Sequence, residues 1–367
     1  MSQPTGQLSA GTFLYPAGYP HAAALRHPLS SLLSLPTVMR FRAFQAPLRA
    51  ALVAFAALPV ITATASAQQP FPSKPITYVV PYTPGGTNDN VARIITKRLA
   101  EKSGQPVVIE YKAGAGGTLG AGFVASSPAD GYTLLNTSIG NVAIAPQLVT
   151  VKFDPFHDLV PVAYIGNSLA TVAINPSLPI RTLPELIAYA RANPGKLTFA
   201  SSGNGTPGHL AGELLKRQAG VDIRHVPYKG SAPAVADVVA GHVDLVFDPL
   251  STQFIKQGKL RALAYFGGAR SPDLPNVPSV RETGVKGWED SLAGAFFITA
   301  PRNVPPDVLA KLRQWIGEIL AEPDTVAALS RVQVDVQTLT PDQTSQRIRQ
   351  VHEIAARVVK DNTVQGN

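Results

Sequence analysis

The chain has 367 residues, of which 45% are hydrophobic and 15% charged, with no cysteine and a formal net charge of +8. The absence of cysteine excludes a disulfide framework, a thiol nucleophile and a zinc-thiolate site. The basic excess does not point to nucleic acid: charges are scattered, and no basic run is present to track a phosphate backbone.

From Met39 the chain reads as a secretory signal peptide. Arg40, Arg42 and Arg49 form a basic start, Ala50 to Ile61 an apolar core, and Ala65-Ser66-Ala67 a cleavage site. The apolar run is shorter than the roughly 20 residues a membrane span needs. Residues 1–38, rich in Pro, Ser and Leu, read as an upstream extension from a mis-assigned start, and 39–67 as the leader. The first 67 residues hold four Arg and no acid, so residues 68–367 keep 28 basic against 24 acidic residues, or +4. Much of the apparent basicity therefore belongs to the leader. Three hundred residues bury large cores and ordinarily divide into two domains.

Short β-branched runs then alternate with amphipathic segments, the order of an α/β fold with largely parallel sheets. Ile76 to Val80 is the first expected strand. Val91, Ile94, Ile95 and Leu99 recur at helical spacing up to a stop at Gly104. Val107 to Ile109 reads as a strand, Thr118 to Ala125 as a short helix and Tyr132 to Leu135 as a strand. Val160 to Ile174 reads as strands running to a crossover. Thr182 and Glu185 have capping-box spacing ahead of a helix to Ala192. A second series follows, with strands at 197–200, 223–226 and 244–247 and helices from about Thr206 and Ala232. Strands at 260–266 and 295–299 and three helices from Pro305 complete the chain. This order suits a discontinuous first domain, 68–172 plus 291–367, with a second domain, 173–290, inserted, so that two chain crossings can serve as a hinge.

The most informative segment is Pro81-Tyr82-Thr83-Pro84-Gly85-Gly86-Thr87-Asn88-Asp89, which joins a strand end to a helix start. Ligands of open α/β sheets sit at such places. Glycines let the backbone approach a ligand, and the free N–H groups of the first helical turn attract an anion without needing an arginine. For the Asp89 side chain, capping the helix is preferred to ligand contact. Ser201 to His209 repeats the layout with hydroxyls, an amide and glycines, and Thr206 or Asn204 is the expected cap. His209 reads as a buried or capping histidine, since no second ligand stands at metal-site spacing. Tyr228-Lys229-Gly230-Ser231 is a third strand-to-helix turn, its lysine as readily solvated as ligand-bound. Asp248 closes a fourth strand, placed to cap or to hold a neighbouring loop.

These segments, together with Phe71-Pro72-Ser73-Lys74-Pro75-Ile76, Gly114-Ala115-Gly116-Gly117, Asp130-Gly131-Tyr132-Thr133-Leu134, Val226-Pro227-Tyr228-Lys229-Gly230, Gly241-His242-Val243-Asp244 and Gly258-Lys259-Leu260-Arg261-Ala262-Leu263, resemble the tripartite tricarboxylate transporter receptors, also called Bordetella uptake gene (Bug) receptors. The resemblance runs from about residue 71 to 360. It implies a two-domain periplasmic-binding-protein (Venus flytrap) fold, each domain a mixed, mostly parallel sheet flanked by helices. It further implies that backbone groups of two facing loops grip a ligand carboxylate. Thr83, Gly85, Gly86, Thr87 and Asp89 would form one lip, and Ser202, Gly203, Asn204, Gly205 and Thr206 the other. Ser138, His209, Tyr228 and Asp248 complete the candidate ligand contacts. No catalytic residue, metal or cofactor is expected. The implied partners are a small carboxylate and, transiently, the large and small subunits of an inner-membrane transporter, with the receptor a periplasmic monomer. Two stretches depart from the family pattern: Asn136 to Asn141, where the distal ligand end would be read, and the C-terminal Val359 to Val364.

Two other functions compete with this reading. A binding protein serving a sensor kinase would have the same cleft. An enzyme is disfavoured: Gly120-Ala121-Gly122-Phe123-Val124-Ala125 matches a dinucleotide fingerprint only formally, with no strand leading into it, and there is no G-x-S-x-G elbow.

Overall fold

The computed structural model describes residues 70–285, 288 and 294–360. The expected upstream extension and signal peptide, the 290/291 boundary and the end of the C-terminal stretch lie outside the described residues. The chain divides into Met1–Ser66 and Ala67–Asn367, and the fold is that of the second unit.

Two mixed sheets organise it. The first has strand order β11-β4-β10-β3-β1-β2 and the second β7-β6-β8-β5-β9. In the first, β1 (Ile76–Val80) pairs in parallel with β2 (Val107–Tyr111) and β3 (Thr133–Ser138). β10 (Gly294–Pro301) runs antiparallel between β3 and β4 (Leu159–Ser168), and the short β11 (Val334–Val336) adds an antiparallel edge. In the second, β6 (Thr198–Ser201) is parallel to β7 (Arg224–Pro227) and β8 (Leu245–Asp248), while β5 (Thr171–Ile174) is antiparallel to β8 and β9 (Arg261–Tyr265).

Parallel pairs are thus no majority in either sheet, contrary to the expectation of mostly parallel sheets. The cause is topological. Strands β4 and β5, and later β9 and β10, carry the chain from one sheet to the other, and of these β10 and β5 each run antiparallel to both neighbours, β3 and β4 in the first sheet and β8 and β9 in the second. The first crossing takes only Leu169 and Ala170 between the end of β4 and the start of β5.

The helices cover both faces. Helix α1 (Thr87–Ser103) buries Val91, Ile95 and Leu99 against Ile76, Tyr78 and Val80 of β1, and Gly104 ends it in the left-handed conformation with φ +69°. Each such aliphatic side chain contributes about 2 kcal/mol by leaving water. Helix α7 (Pro306–Ala321) packs in the same layer through Leu312, Ile316 and Ile319. On the opposite face, α2 (Thr118–Ala125) and the long α9 (Pro341–Lys360) bury Ala121, Val124, Ile348, Val351 and Ala355. Around the second sheet, α4 (Pro207–Ala219) packs Leu210 and Leu214 near Phe199, and α5 (Ser231–Ala240) packs Val235 and Val238 near Ala200 and Val246. Helix α3 (Leu183–Ala192) starts at the expected cap, where Thr182 Oγ1 accepts the Glu185 N–H at 3.3 Å. Helices α6 (Ser251–Lys256) and α8 (Pro323–Arg331) complete the set. Among the described residues no helix is long and apolar enough to cross a membrane, and no group of three metal-ligating side chains comes together.

Candidate functional site

The first lip is the turn from β1 to α1. Its helix starts after Gly86 with no side chain capping it. The Asp89 carboxylate points back into the loop instead: Oδ2 accepts the Gly85 N–H at 2.8 Å and Arg93 Nε at 3.1 Å, and Oδ1 accepts the Tyr111 hydroxyl at 2.8 Å. Gly85, with φ +82°, supplies the left-handed turn that aims its N–H at that carboxylate,. Asp89 therefore shapes the lip and is fully engaged in doing so. Below it, Asn136 Nδ2 donates to the Asn88 carbonyl at 2.8 Å and Asn136 Oδ1 accepts from Tyr78 at 2.9 Å, fixing the lip to β3. Thr87 is only 2% exposed, yet its hydroxyl has no hydrogen-bond partner.

The second lip, from β6 to α4, is built alike. Thr206 stands at the cap position, but its hydroxyl donates to the Gly203 carbonyl at 2.7 Å, so it holds the loop and does not cap α4. Asn204 does not cap it either, as α4 has no side-chain cap. His209 Nδ1 accepts the Gly205 N–H at 3.1 Å, as a buried structural histidine would. It stacks on His225, ring centres 3.9 Å apart, and His225 Nε2 lies 2.6 Å from Ser201 Oγ. Burial pushes His209 down to about 4; burial, then the neighbouring His209, pushes His225 down to about 3. Both rings are therefore neutral near pH 7.

Beside these lips, Asp248 ends β8. It accepts the Ser231 hydroxyl at 2.7 Å and the Leu250 N–H at 2.8 Å, and burial raises it to about 6. It does hold a neighbouring loop, and it also faces the cleft. Tyr228 turns away, its hydroxyl donating to Asp237 Oδ2 at 2.5 Å on α5.

A cavity of about 60 Å³ lies where the loops meet. That is room for several waters or one small organic acid. Gly86, Thr87, Ser138, Ser202 and Asp248 line it, as do Pro207 and Gly208 at the start of α4. Thr83, Gly85, Asp89, Gly205, Thr206 and His209 stand behind that wall. Gly203, Asn204 and Tyr228 border an adjoining opening with Gly114 to Gly117. The lobes are clasped there: the Thr83 N–H donates to the Lys229 carbonyl at 3.2 Å, and Gly116 lies so close to Asn204 that an added Cβ would stand 2.1 Å from its carbonyl oxygen. Of the 136–141 stretch, only Ser138 reaches the cavity wall.

The rest of the wall was not anticipated from sequence. Ser168 and Ala170 come from the first crossing, Gly294, Ala295 and Phe296 from β10, Ala211 from α4, and Phe247 and Phe266 from the second sheet. Among the described residues no lysine or arginine lines the cavity. The free N–H groups at the starts of α1 and α4, one from each lobe, are its positive ends,.

Two α/β lobes joined by strand crossings, with a ligand-sized cavity between uncapped helix starts, define a binding protein of the periplasmic class. A sequence profile described as the tripartite tricarboxylate transporter family receptor matches residues 91–363, and the chain belongs to that family, one of receptors and not of enzymes. It is 37% identical over 279 residues to protein BugT of Bordetella pertussis, covering 75% of this chain and 85% of BugT. Among solved structures, Rpa4515 of R. palustris with adipate is 34% identical with a TM-score of 0.77, covering 80% of this chain and 99% of that one. MatC of Rhodopseudomonas palustris with bound malate is 31% identical with a TM-score of 0.75, covering 79% of this chain and all of that one.

Proposed function

We propose that this receptor captures a small carboxylate between its lobes in the periplasm and delivers it to the large and small subunits of a tripartite transporter in the inner membrane. The observation that carries the reading is the pair of helix starts, α1 and α4, which bring uncapped N–H groups from the two lobes to one cavity. Such ends hold an anion through hydrogen bonds and aligned peptide dipoles. The orphan hydroxyl of Thr87 on the same wall supplies a further donor. Adipate in Rpa4515 and malate in MatC support the ligand class. The ligand contacts are Gly86, Thr87, Ser138, Ser202 and Asp248, supported by the remaining residues of the two lips. Capture proceeds by closure about the two crossings, which shuts water from the donors.

A ligand that binds only the folded state adds about 2.7 kcal/mol of stability at 100 times its Kd. A thermal-shift screen of mono-, di- and tricarboxylates against neutral sugars tests the class. A melting temperature raised by a sugar and by none of the acids would refute it. Loss of uptake of the identified ligand on deleting the gene, with transcription in response to that ligand unchanged, tests delivery against a sensing role.

A further inference from the structure

A second cavity, of about 70 Å³, adjoins the first across Thr87 and Pro249, which line both. Its wall comes from α1 and the turn between α8 and β11 in one lobe, and from α6 and the loop before it in the other. It lies beside the first crossing, where the Gln333 carbonyl accepts the Leu169 N–H at 2.9 Å. The proposed capture of a carboxylate makes no use of this space.

The wall has the chemistry of an anion site. Lys256 and Arg331 bring two cations to it, and among the described residues no acid lines it. Asp273, outside the wall, pairs with the Lys256 ammonium at 2.8 Å and accepts Gln333 Nε2 at 3.1 Å, which fixes the ammonium in place. Arg331 forms no ion pair with the described residues, so its charge has no counterpart there. Thr252 is 2% exposed, and its hydroxyl has no partner among the described residues. A buried hydroxyl left unpaired is costly, and a bound group that accepts its proton removes the cost. The side-chain amides of Asn90 and Gln253 belong to the same wall and are further donors,.

The backbone of Gln333 points the same way. It follows α8 with φ +63°, the left-handed conformation in which a helix end ordinarily places glycine,. A glutamine there keeps the strain and gains the bond to Asp273, and with it the placing of Lys256.

From these groups we infer a second anion site, separate from the ligand cleft, which takes a tetrahedral oxyanion of the phosphate or sulfate kind between Arg331 of one lobe and Lys256 and Thr252 of the other. The cavity has room for several waters or one such ion. Four oxygens directed to the corners of a tetrahedron can meet a guanidinium, an ammonium and a hydroxyl from separate directions at once. The inference does not depend on what the cleft holds.

The test is calorimetric titration of the protein with inorganic phosphate and with sulfate, in chloride buffer of constant ionic strength near neutral pH. Saturable binding of at least one of the two is expected. Arg331→Gln and Thr252→Val should each weaken it by about tenfold or more, as the loss of one hydrogen bond to a charged group does. Thr252→Val removes an unpaired hydroxyl, so that variant without ligand should melt no lower than wild type, and its weaker binding is then not a failure to fold. No saturable binding of either ion at millimolar concentration overturns the inference. Binding that both variants leave unchanged overturns it as well, as does binding that Ser202→Ala in the cleft weakens while they do not, since the ion then sits elsewhere.

Discussion

Replacing Thr87 by valine isolates a buried hydroxyl of the cavity wall that has no partner among the described residues. Thr87 is the first residue of α1, 2% exposed, and its Oγ1 is unpartnered. Leaving such a group unsatisfied costs about 1–3 kcal/mol. Valine keeps the shape, and its helix propensity is close to that of threonine. The unliganded Thr87→Val protein should therefore be more stable by about 1 kcal/mol or more, a rise of ~2–4 °C in melting temperature for each kcal/mol. Binding should move the other way. A hydrogen bond to a charged group contributes about 1.5–3 kcal/mol, so the variant should bind its carboxylate about 10- to 100-fold more weakly. Differential scanning calorimetry of the unliganded protein and titration with the identified acid measure the two signs separately. A Thr87→Val protein that is less stable without ligand and binds as tightly as wild type would show that the hydroxyl serves the fold, and would remove Thr87 from the site.

Three further outcomes are expected. Gly205 has φ +75°, and a Cβ there would stand 2.4 Å from Ala145 Cα on the other lobe; Gly205→Ala should stay folded but close poorly, weakening ligand binding more than tenfold with a larger radius of gyration in the presence of ligand by small-angle scattering. Asp89→Asn removes the charge that Gly85, Arg93 and Tyr111 share, and denaturant unfolding should show a loss of about 1–3 kcal/mol with the order of preference among acids unchanged; a changed order would place Asp89 against the ligand. His209 titrates far below its ordinary 6.5, at about 4, because it is buried, so its neutral form is the folded one. Its contribution is intact above about pH 6.5 and is lost as pH falls towards 4, by about 3 kcal/mol. Asp248, raised to about 6, acts with the opposite sign over part of that range, and His225, lowered to about 3, adds to the loss. The measurement is therefore the difference between wild type and His209→Asn from pH 7 to 4, which should show the variant losing less stability; equal acid sensitivity would contradict a buried, neutral His209.

Local signals carried far along this chain because they coincide with physical punctuation. The α1 helix announces itself through Val91, Ile95 and Leu99 at helical spacing and stops where Gly104 takes up a left-handed conformation. The two lips are legible for the same reason: a strand, then glycines, then a helix start. What side chains do inside a lip is less legible. Thr206 sits where a cap belongs, yet its hydroxyl turns to Gly203, and Asp89 reaches back to Gly85 while also meeting Arg93 and Tyr111. The choice between such acceptors is decided by loop conformation over a few residues, which residue type alone does not specify. Least legible was the apolar half of the cavity. Phe247, Phe266 and Phe296 read as ordinary strand residues, because which face of a crossing strand meets the cleft depends on pairings over long sequence separations, such as Phe297 with Tyr164. The antiparallel partners of β4, β5 and β10, and the short β11, were unforeseen on the same grounds.

An acid in the cavity wall is reconcilable with the proposed capture of an anion once its bonds are counted. Ser231 is the first residue of α5, so the bond it gives Asp248 also sets the carboxylate against that helix start. The starts of α1 and α4 have no such side-chain partner. The same bonds oppose the burial that raises Asp248 to about 6, and among the described residues no lysine or arginine lines the same space.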